Sequence, residues 1–259
     1  MMARTAEGGA PACRRRADRA RLVADVLRAQ ILSGEFPPGE RLPLEGELAR
    51  EYRASRNTVR ESLALLRDEG LVERVPRLGT LVVRNKYAHG LNRLLGLSEM
   101  LHEHGRVRNE VRAVTVVEAP PAVAHRLRLD PGSPAVYVER LRRVGGLPLS
   151  LDLTYLAPDV GTPLIGEDLE NNDVFALIEE VCGRPLGDAD ITLEAVGADP
   201  HSAAVLQAPP RAALLLLERL THLDDGRPVD LEYIRFRGDR LTMHGRLTRP
   251  TPGRTPEWP

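Results

Sequence analysis

The sequence predicts an α+β fold in two parts, a winged helix-turn-helix followed by a mostly antiparallel sheet with packed helices. Two observations carry this prediction. Apolar residues recur at helical spacing between tight turns in the first 85 residues, and a helix-and-strand pattern occurs twice in the remainder. We therefore divide the chain into a disordered tail (1–17), a winged helix-turn-helix domain (18–85), a linker (86–95), a rear domain (96–245) and a C-terminal tail (246–259).

Charge and composition narrow the function classes. The 259 residues carry a net charge of −1, but residues 1–86 hold 17 Lys+Arg against 12 Asp+Glu, whereas residues 87–259 hold 19 against 25. A basic front part indicates nucleic-acid contact. Lys86 is the sole lysine and lies in no Gly-Lys-Ser/Thr motif, which excludes a P-loop NTPase. The longest apolar run, Ala212–Leu217, is too short to span a membrane.

Other cofactor and metal motifs are missing from the sequence. Cys13 and Cys182 lie far apart, so neither a CxxC metal site nor a disulfide framework is expected. We predict no cofactor, no metal site, no catalytic residue, no membrane contact and a cytoplasmic location.

The front domain is predicted element by element. A helix is expected over 18–33 and ends at Gly34, a short helix over 44–52, and a third helix over 56–68 with Ser55 as its N-cap and Gly70 at its end. Two short strands at 71–72 and 81–83 then enclose a wing. This order of elements is that of a winged helix-turn-helix.

The third helix points to DNA recognition. Val59, Leu63 and Leu66 form an apolar stripe, while Arg56 and Arg60 lie on another arc with Arg67, and Asn57 lies at its margin. Arginine can bind guanine and asparagine can bind adenine through two hydrogen bonds each. A solvated basic face would explain the same arginines, but the preceding helix, turn and wing favour a recognition helix.

The rear domain contains an internal repeat with an offset of 79 residues. The segment Val138–Leu141 matches Leu217–Leu220, and the Gly145-Gly146 and Asp225-Gly226 pairs predict two-residue hairpin turns. A helix over 97–104 parallels one over 174–182. Each copy predicts helix, strand, short helix, strand, turn and strand, which places a pocket near the junction of the two copies.

Charged residues within the repeat are candidates for that pocket. Arg140 and Arg142 share one face of a strand, Asp152 lies on the partner strand, and Glu232 is the counterpart of Asp152 in the second copy. Two arginines facing a carboxylate can bind a ligand with an anionic end and hydroxyls or an amine. A surface ion pair between strands is the alternative interpretation.

Several short motifs resemble the GntR superfamily of bacterial transcription regulators. They are Pro38–Pro43, Glu47-Leu48-Ala49, Ser55–Glu61, Glu69–Val72 and Gly79-Thr80, and they occur in order over about 18–84. The resemblance implies a homodimer that reads a palindromic double-stranded DNA operator. It assigns DNA contacts to Arg56, Asn57, Thr58, Arg60, Gly79 and Thr80.

Two positions depart from the family pattern. Gly46 stands where the family often has a basic residue, and the wing reads Arg77-Leu78-Gly79-Thr80 instead of Gly-Arg-Gly-Thr. Arg77 remains a candidate DNA contact, and we expect an operator that differs from the common family site.

The rear half resembles the UTRA effector-binding domain of the HutC branch, whose fold is that of chorismate lyase. Over about 96–242 the similarity rests on Glu139–Arg142, Pro148-Leu149, Asp168-Leu169 and Asp225–Asp230. The resemblance implies a small-molecule effector and assigns effector contacts to Arg140, Arg142, Asp152, Tyr155, Asp230 and Phe236. Asp173 stands where members that bind sugar phosphates often have serine, and its carboxylate would repel a phosphate.

The sequence therefore predicts a ligand-responsive transcription regulator, most simply a repressor. Two alternatives stay open. One is a DNA-binding regulator whose rear domain takes no ligand, and the other is an enzyme of the chorismate-lyase type.

Overall fold

A computed structural model describes residues 10–83, 86–96 and 107–246. The chain divides into two compact units, Met1–Lys86 and Tyr87–Pro259. The predicted helix over 97–104, residues 1–9 of the predicted tail and all of the C-terminal tail except Arg246 lie outside the described residues.

The front unit is a winged helix-turn-helix. Its elements are α1 (Ala10–Leu32), α2 (Glu45–Glu51), α3 (Arg56–Asp68), β1 (Val72–Val75) and β2 (Gly79–Val82). The two strands pair antiparallel, with Val72 opposite Val82 and Val75 opposite Gly79. One apolar cluster joins all five elements, and its fully buried members include Leu27, Leu48, Val59, Leu66 and Val82.

The first helix begins earlier than predicted. It starts at Ala10, not at residue 18, so residues 10–17 are helical where a disordered tail was expected. Alanine and arginine have high helix propensity, and Pro11 is tolerated because it lies in the first turn, where no backbone donor is needed. Helix α3 has the predicted bounds.

The rear unit is built on a six-stranded antiparallel sheet with the order β4-β5-β6-β9-β8-β7. The described part of this unit also contains four helices, α4 to α7, which lie between strands along the chain. The bounds are β4 Val107–Glu118, α4 Pro121–Arg126, β5 Pro134–Val144, β6 Leu147–Leu156, α5 Pro158–Leu164, α6 Val174–Cys182, β7 Leu186–Gly197, α7 Pro200–Val205, β8 Ala213–Leu223 and β9 Pro228–Arg237.

The register of the sheet shows that the two halves are related by a pseudo-two-fold axis. The first half consists of β4, α4, β5 and β6. These elements correspond in order to β7, α7, β8 and β9 of the second half. The central pair is β6 with β9, where Leu153 lies opposite Tyr233, its own counterpart. Arg140 pairs with Asp152 in the first half, and Arg219 pairs with Glu232 at the equivalent position of the second. The predicted internal duplication is thus confirmed for these elements.

One of the two predicted hairpin turns is longer than expected. Gly145 and Gly146 form a two-residue turn, both with positive φ (58° and 82°). In the second half, the backbone N–H of Leu223 donates to Arg227, which leaves a three-residue loop around Asp225-Gly226. The additional residue explains why the repeat offset changes from 79 to 80 across this turn.

The predicted linker contains a strand. Strand β3 (Tyr87–Gly90) pairs in parallel with β10 (Leu241–His244), the last strand of the rear unit. Tyr87 and Met243 pack on a cluster that contains Leu217, Ile234 and Phe236. The alternation of Tyr87 and His89 with smaller residues was too short to identify as a strand from sequence.

Helices lie on both faces of the sheet. Residues of α5 and α6, including Val160, Leu164 and Ile178, pack with Val138 and Leu156 on one face. Helices α4 and α7, which are equivalent by the pseudo-symmetry, bury Val123 and Ala203 on the other. No helix among the described residues is both long enough and apolar enough to cross a membrane.

Candidate functional site

The N-terminus of α3 presents a set of exposed polar side chains. Ser55 caps the helix by accepting a hydrogen bond from the backbone N–H of Thr58 at 3.1 Å. The next residues, Arg56 and Asn57, are exposed, and Arg60 follows one turn later. Thr58 differs from them because its side chain is buried and its Oγ1 lies 2.8 Å from Ser55 Oγ. The Thr58 side chain is therefore part of the N-terminal cap of α3.

A basic groove lies between α2, the start of α3 and the wing. It has a volume of about 500 Å³, and its three arginines outnumber its two glutamates; the lining includes Arg50, Arg56, Arg74, Glu45, Glu47, Gly79 and Thr80. The guanidinium of Arg56 lies over Gly46, where an added Cβ would be 3.4 Å from Nη2. An added Cβ would thus be in ordinary van der Waals contact with Arg56, so Arg56 does not require a glycine at this position. Sequence reasoning missed Arg50 and Arg74, because neither lies on the third helix.

Arg60 makes an ion pair across the helix-turn-helix. Its Nε donates to Glu45 Oε2 at 2.7 Å, and 60% of the Arg60 side chain remains exposed. The pair fixes the direction of the guanidinium while leaving most of it accessible.

The wing turn places an arginine in a left-handed conformation. The backbone N–H of Leu78 donates to Val75 at 3.2 Å, which closes a β-turn through Pro76 and Arg77. Arg77 has φ 68°, and Gly79 follows with φ 100°. The left-handed backbone conformation costs least free energy for a residue without a Cβ. Arg77 therefore occupies a position that favours glycine. Arg77 is exposed at the tip.

In the rear unit, most predicted effector residues meet on one face of the sheet, at the junction of the two halves. Arg140 and Arg142 of β5, Ser150 and Asp152 of β6, Arg219 and Thr221 of β8, and Asp230 and Glu232 of β9 all lie on this face. Every one of them is buried. The alternative interpretation, a surface ion pair between strands, is wrong for these residues. We call this set the charged cluster.

Each half of the charged cluster contains an ion pair between hairpin strands. Arg142 Nε donates to Asp152 Oδ2, and Ser150 Oγ donates to Asp152 Oδ1 at 2.7 Å. Arg219 Nε donates to Glu232 Oε2 at 2.8 Å, and its guanidinium lies 4.5 Å from the ring centre of Phe175. Arg219 was missed in the sequence, although the repeat aligns it with Arg140.

Arg140 is buried without full compensation. Its Nε and Nη2 have no hydrogen-bond partner within the part of the chain that the structure describes, and Nη2 lies 3.9 Å from Glu232 Oε1. Burial and the neighbouring Arg142 both lower the pKa of Arg140. Burial likewise opposes the charge of Arg142, but Asp152 and Glu232 outweigh it and raise its pKa. An arginine remains charged in either case.

The two carboxylates of β9 have opposite pKa shifts. Burial raises the pKa of Asp230 well above its usual value, and the neighbouring Glu232 adds to this rise. Burial acts on Glu232 as well, but Arg219, Arg142 and Arg140 outweigh it and lower its pKa. Thr221 Oγ1 donates to Asp230 Oδ2 at 3.3 Å, whereas Asp230 Oδ1 has no partner among the described residues.

Two adjacent cavities lie beside Arg219 of the charged cluster. One, of about 250 Å³, is lined by Arg219, Leu217 and His89, and the other, of about 440 Å³, is lined by Asp173 and Phe175. Residues 93–95 and Gly187 line both. Asp173 caps α6 by accepting from the backbone N–H of Phe175 at 2.9 Å.

Two predicted residues take different positions from the rest. Phe236 lies on the same face but is fully buried in an apolar cluster with Leu217 and Ile234. Tyr155 lies on the opposite face, where its ring contacts Tyr137 with centroids 5.2 Å apart. Tyr155 is three residues from Asp152, an odd number, so strand alternation alone places it away from the charged cluster.

Comparisons with known proteins agree with this architecture. Residues 19–82 match the model of bacterial regulatory proteins of the gntR family, and residues 102–242 match the UTRA domain. The chain belongs to the GntR family of transcription regulators and carries a UTRA domain.

Several known proteins match this GntR–UTRA regulator over most of their length. It is 29% identical over 89% of its length to the regulator Rv0792c of Mycobacterium tuberculosis, covering 86% of that protein. It is 25% identical over 96% of its length to a histidine utilization repressor of Pseudomonas putida, covering 97% of it. The solved structure of PhnF from Mycobacterium smegmatis matches 89% of this chain and 98% of its own, with a TM-score of 0.64 and 27% identity.

Proposed function

We propose that this regulator is a homodimeric repressor that binds a palindromic operator and changes its DNA affinity when a small polar metabolite binds the charged cluster. The single observation that carries the ligand response is the buried Arg140, with two unpartnered donors among the described residues. Relatives whose names contain the word repressor, including NagR of Bacillus subtilis at 27% identity, favour repression. We place its action in the cytoplasm, where bacterial chromosomal DNA lies.

The basic groove is the proposed DNA interface. Arg56 and Asn57 lie at the N-terminal end of α3, where a recognition helix contacts base edges in the major groove. Arg60, Arg77, Gly79 and Thr80 would contact phosphates or the adjacent groove, and Thr58 contributes through its part in the cap. Two such helices in a dimer reach half-sites about 34–36 Å apart.

DNA binding is tested with the chain's own upstream region. Arg56→Ala should weaken specific binding by roughly tenfold or more, since one arginine–guanine contact contributes about 1–3 kcal/mol of discrimination. The measurement is fluorescence anisotropy with the specific fragment and a scrambled one, over a range of salt concentrations. Arg108→Ala, on the exposed face of β4, is the matched control. Equal affinity for both fragments in the unaltered protein would contradict the proposal.

The dimer is tested separately. Sedimentation equilibrium of the full chain should give twice the monomer mass, and titration should show two chains for each operator. A single chain on each palindrome would contradict the dimer while leaving the DNA interface standing.

The effector response depends on the charged cluster. Arg140 and Arg142 would bind the anionic end of the ligand, with Asp152, Asp173, Asp230 and Glu232 around its polar groups. Typical coupling between an effector and DNA is about 1–3 kcal/mol, a 5–150-fold change in affinity. Arg140→Gln should abolish ligand-induced release from the operator while leaving ligand-free DNA affinity within about twofold.

This experiment also separates the two alternatives. An unchanged response in Arg140→Gln would favour a regulator whose rear domain takes no ligand at this cluster. We propose that the ligand is bound without turnover, and release of a new product from a bound aromatic acid would instead identify an enzyme.

A further inference from the structure

Equivalent positions in the two halves of the sheet differ in charge. The pseudo-two-fold axis matches the pair Arg140–Asp152 to Arg219–Glu232, and both pairs contain one arginine and one carboxylate. The next pair toward the hairpin turn is Arg142 with Ser150 in the first half but Thr221 with Asp230 in the second. The charged cluster is therefore rich in arginine on one side of the axis and rich in carboxylates on the other.

The unpartnered atoms follow the same division. Among the described residues, the buried donors without a hydrogen-bond partner in the charged cluster belong to Arg140, in the first half, and the buried acceptor without one belongs to Asp230, in the second. Buried polar groups are nearly always hydrogen-bonded, so these atoms indicate a missing partner on each side. A ligand that satisfies both must accept at Arg140 and donate at Asp230.

The balance of charges in the cluster determines which anionic group the ligand carries. The three arginines face Asp152 and Glu232, and burial favours the neutral form of Asp230 in the empty cluster. The carboxylate of Asp173, at the N-terminus of α6, also acts on Arg140 and Arg142 and reduces the excess of positive charge. This balance favours a singly charged carboxylate over a phosphate dianion, which would bring an excess of negative charge into a buried site.

The carboxylate-rich half of the charged cluster determines the group at the opposite end of the ligand. Arg219 hydrogen-bonds Glu232 and lies over the ring of Phe175, and its charge lowers the pKa of Asp230 by less than burial raises it. A cationic amine beside Asp230 favours the ionised form of its carboxyl group and pairs with it. A hydroxyl group carries no charge and does neither.

We propose, building on the effector site proposed above, that the charged cluster binds a zwitterion, with a carboxylate on Arg140 and an amine or other protonated nitrogen between Asp230 and Glu232. Binding then releases a proton from Asp230. The charged groups that face Asp230 are Glu232 on its own strand, Arg219 on β8 and Arg140 on β5, and Thr221 donates to it. None of the others takes up the released proton, because the arginines stay protonated and the pKa of Glu232 is lowered.

The test uses linear amino acids with the amine at the far end, from glycine to 6-aminohexanoate, as a ruler for the distance between the two ends. Each is compared with the hydroxy acid and the unsubstituted acid of equal length by titration calorimetry on the full chain. One length should bind at least tenfold more tightly than its two analogues. Two buffers of different ionisation enthalpy should show that this amino acid releases a proton and that the unsubstituted acid does not.

Variants identify the two ends. Asp230→Asn should remove the preference for the amine and the proton release while it retains carboxylate binding, and Arg140→Gln should remove binding of the whole series. Operator affinity within about twofold of that of the unaltered protein, and a single cooperative melting transition, show that each variant is folded.

The zwitterion is ruled out if hydroxy acids or unsubstituted acids bind as well as the amino acids, if an alkyl phosphate binds more tightly, or if no member of the series binds. These results leave the transcriptional role standing, because operator binding is measured independently. Loss of specific operator binding in the unaltered protein contradicts that role and not the ligand class.

Discussion

At the scale of single residues, Arg77 shows a compromise between stability and DNA contact. The wing turn holds it at φ 68°, a conformation that costs a residue with a Cβ roughly 1–2 kcal/mol. Arg77→Gly should therefore stabilise the wing by about 1 kcal/mol and lower DNA affinity. DNA binding by this variant should also depend less on salt. The slope of log affinity against log salt concentration should become smaller in magnitude by about 0.9 for one lost phosphate contact.

The control for Arg77 keeps the charge. Arg77→Lys retains the left-handed strain and the positive charge, so its salt slope should stay near that of the unaltered protein. Anisotropy over a salt series and urea unfolding of the full chain measure the two effects. An unchanged slope in Arg77→Gly would show that the wing tip does not contact phosphate.

Residue-level reasoning from the sequence succeeded where periodicity was combined with the repeat. Arg140, Arg142, Asp152 and Glu232 are indeed on one face, because alternation along a strand needs no knowledge of the tertiary fold. Their burial could not be predicted, since it depends on α5 and α6 covering that face. Arg219 was within reach, because the repeat had already aligned its segment.

At the scale of elements, α2 lacks a side-chain cap. Leu44 occupies the N-cap position and is 51% exposed, and only the reciprocal half of a capping box forms, with Glu47 Oε2 accepting from the Leu44 backbone N–H at 2.7 Å. A serine there can accept from the first turn, and such a cap contributes about 1 kcal/mol. Leu44→Ser should slow hydrogen exchange in α2 about fivefold.

The matched substitution is Leu44→Ala, which also removes the exposed side chain but adds no acceptor. Its exchange rates should stay within about twofold of those of the unaltered protein. If serine and alanine gave equal rates, the cap would contribute nothing to α2.

Element boundaries were predictable where the chain has clear stop residues. Helix α3 lies between its Ser55 cap and Gly70, and both are visible in the sequence. Strand β3 was missed because it is four residues long and pairs in parallel with a strand about 150 positions later. Such a pairing leaves no local pattern, and the tertiary contact with the cluster around Phe236 stabilises it.

At the scale of the whole molecule, the first strand of the rear unit connects its core to the front of the chain. His89 on β3 is 5% exposed, its ring centroid lies 6.3 Å from that of Phe236, and it lines a cavity with Arg219. The strand follows directly after Lys86, where the front unit ends. Strand β3 therefore carries a buried side chain beside Arg219 at the start of the rear unit.

The same histidine links the stability of the protein to pH. Burial, together with the charges of Arg219 and His244 acting in the same direction, lowers the pKa of His89 from 6.5 to about 4. In the unfolded chain the His89 imidazole binds a proton below pH 6.5. In the folded protein it stays neutral until the pH is near 4. The stabilisation is therefore fully present above pH 6.5 and is lost as pH falls toward 4, by up to about 3 kcal/mol.

Urea unfolding of the full chain between pH 7.5 and pH 4 measures this loss, and other groups contribute to it as well. The difference between variants isolates His89. His89→Gln removes the titration, so its free energy of unfolding should fall by about 3 kcal/mol less over this range than that of the unaltered protein. His201→Gln, which removes a histidine whose side chain is 63% exposed, is the matched control. Equal pH dependence in both variants would show that His89 titrates normally in the folded protein, and that the strand after Lys86 is not held by a buried neutral imidazole.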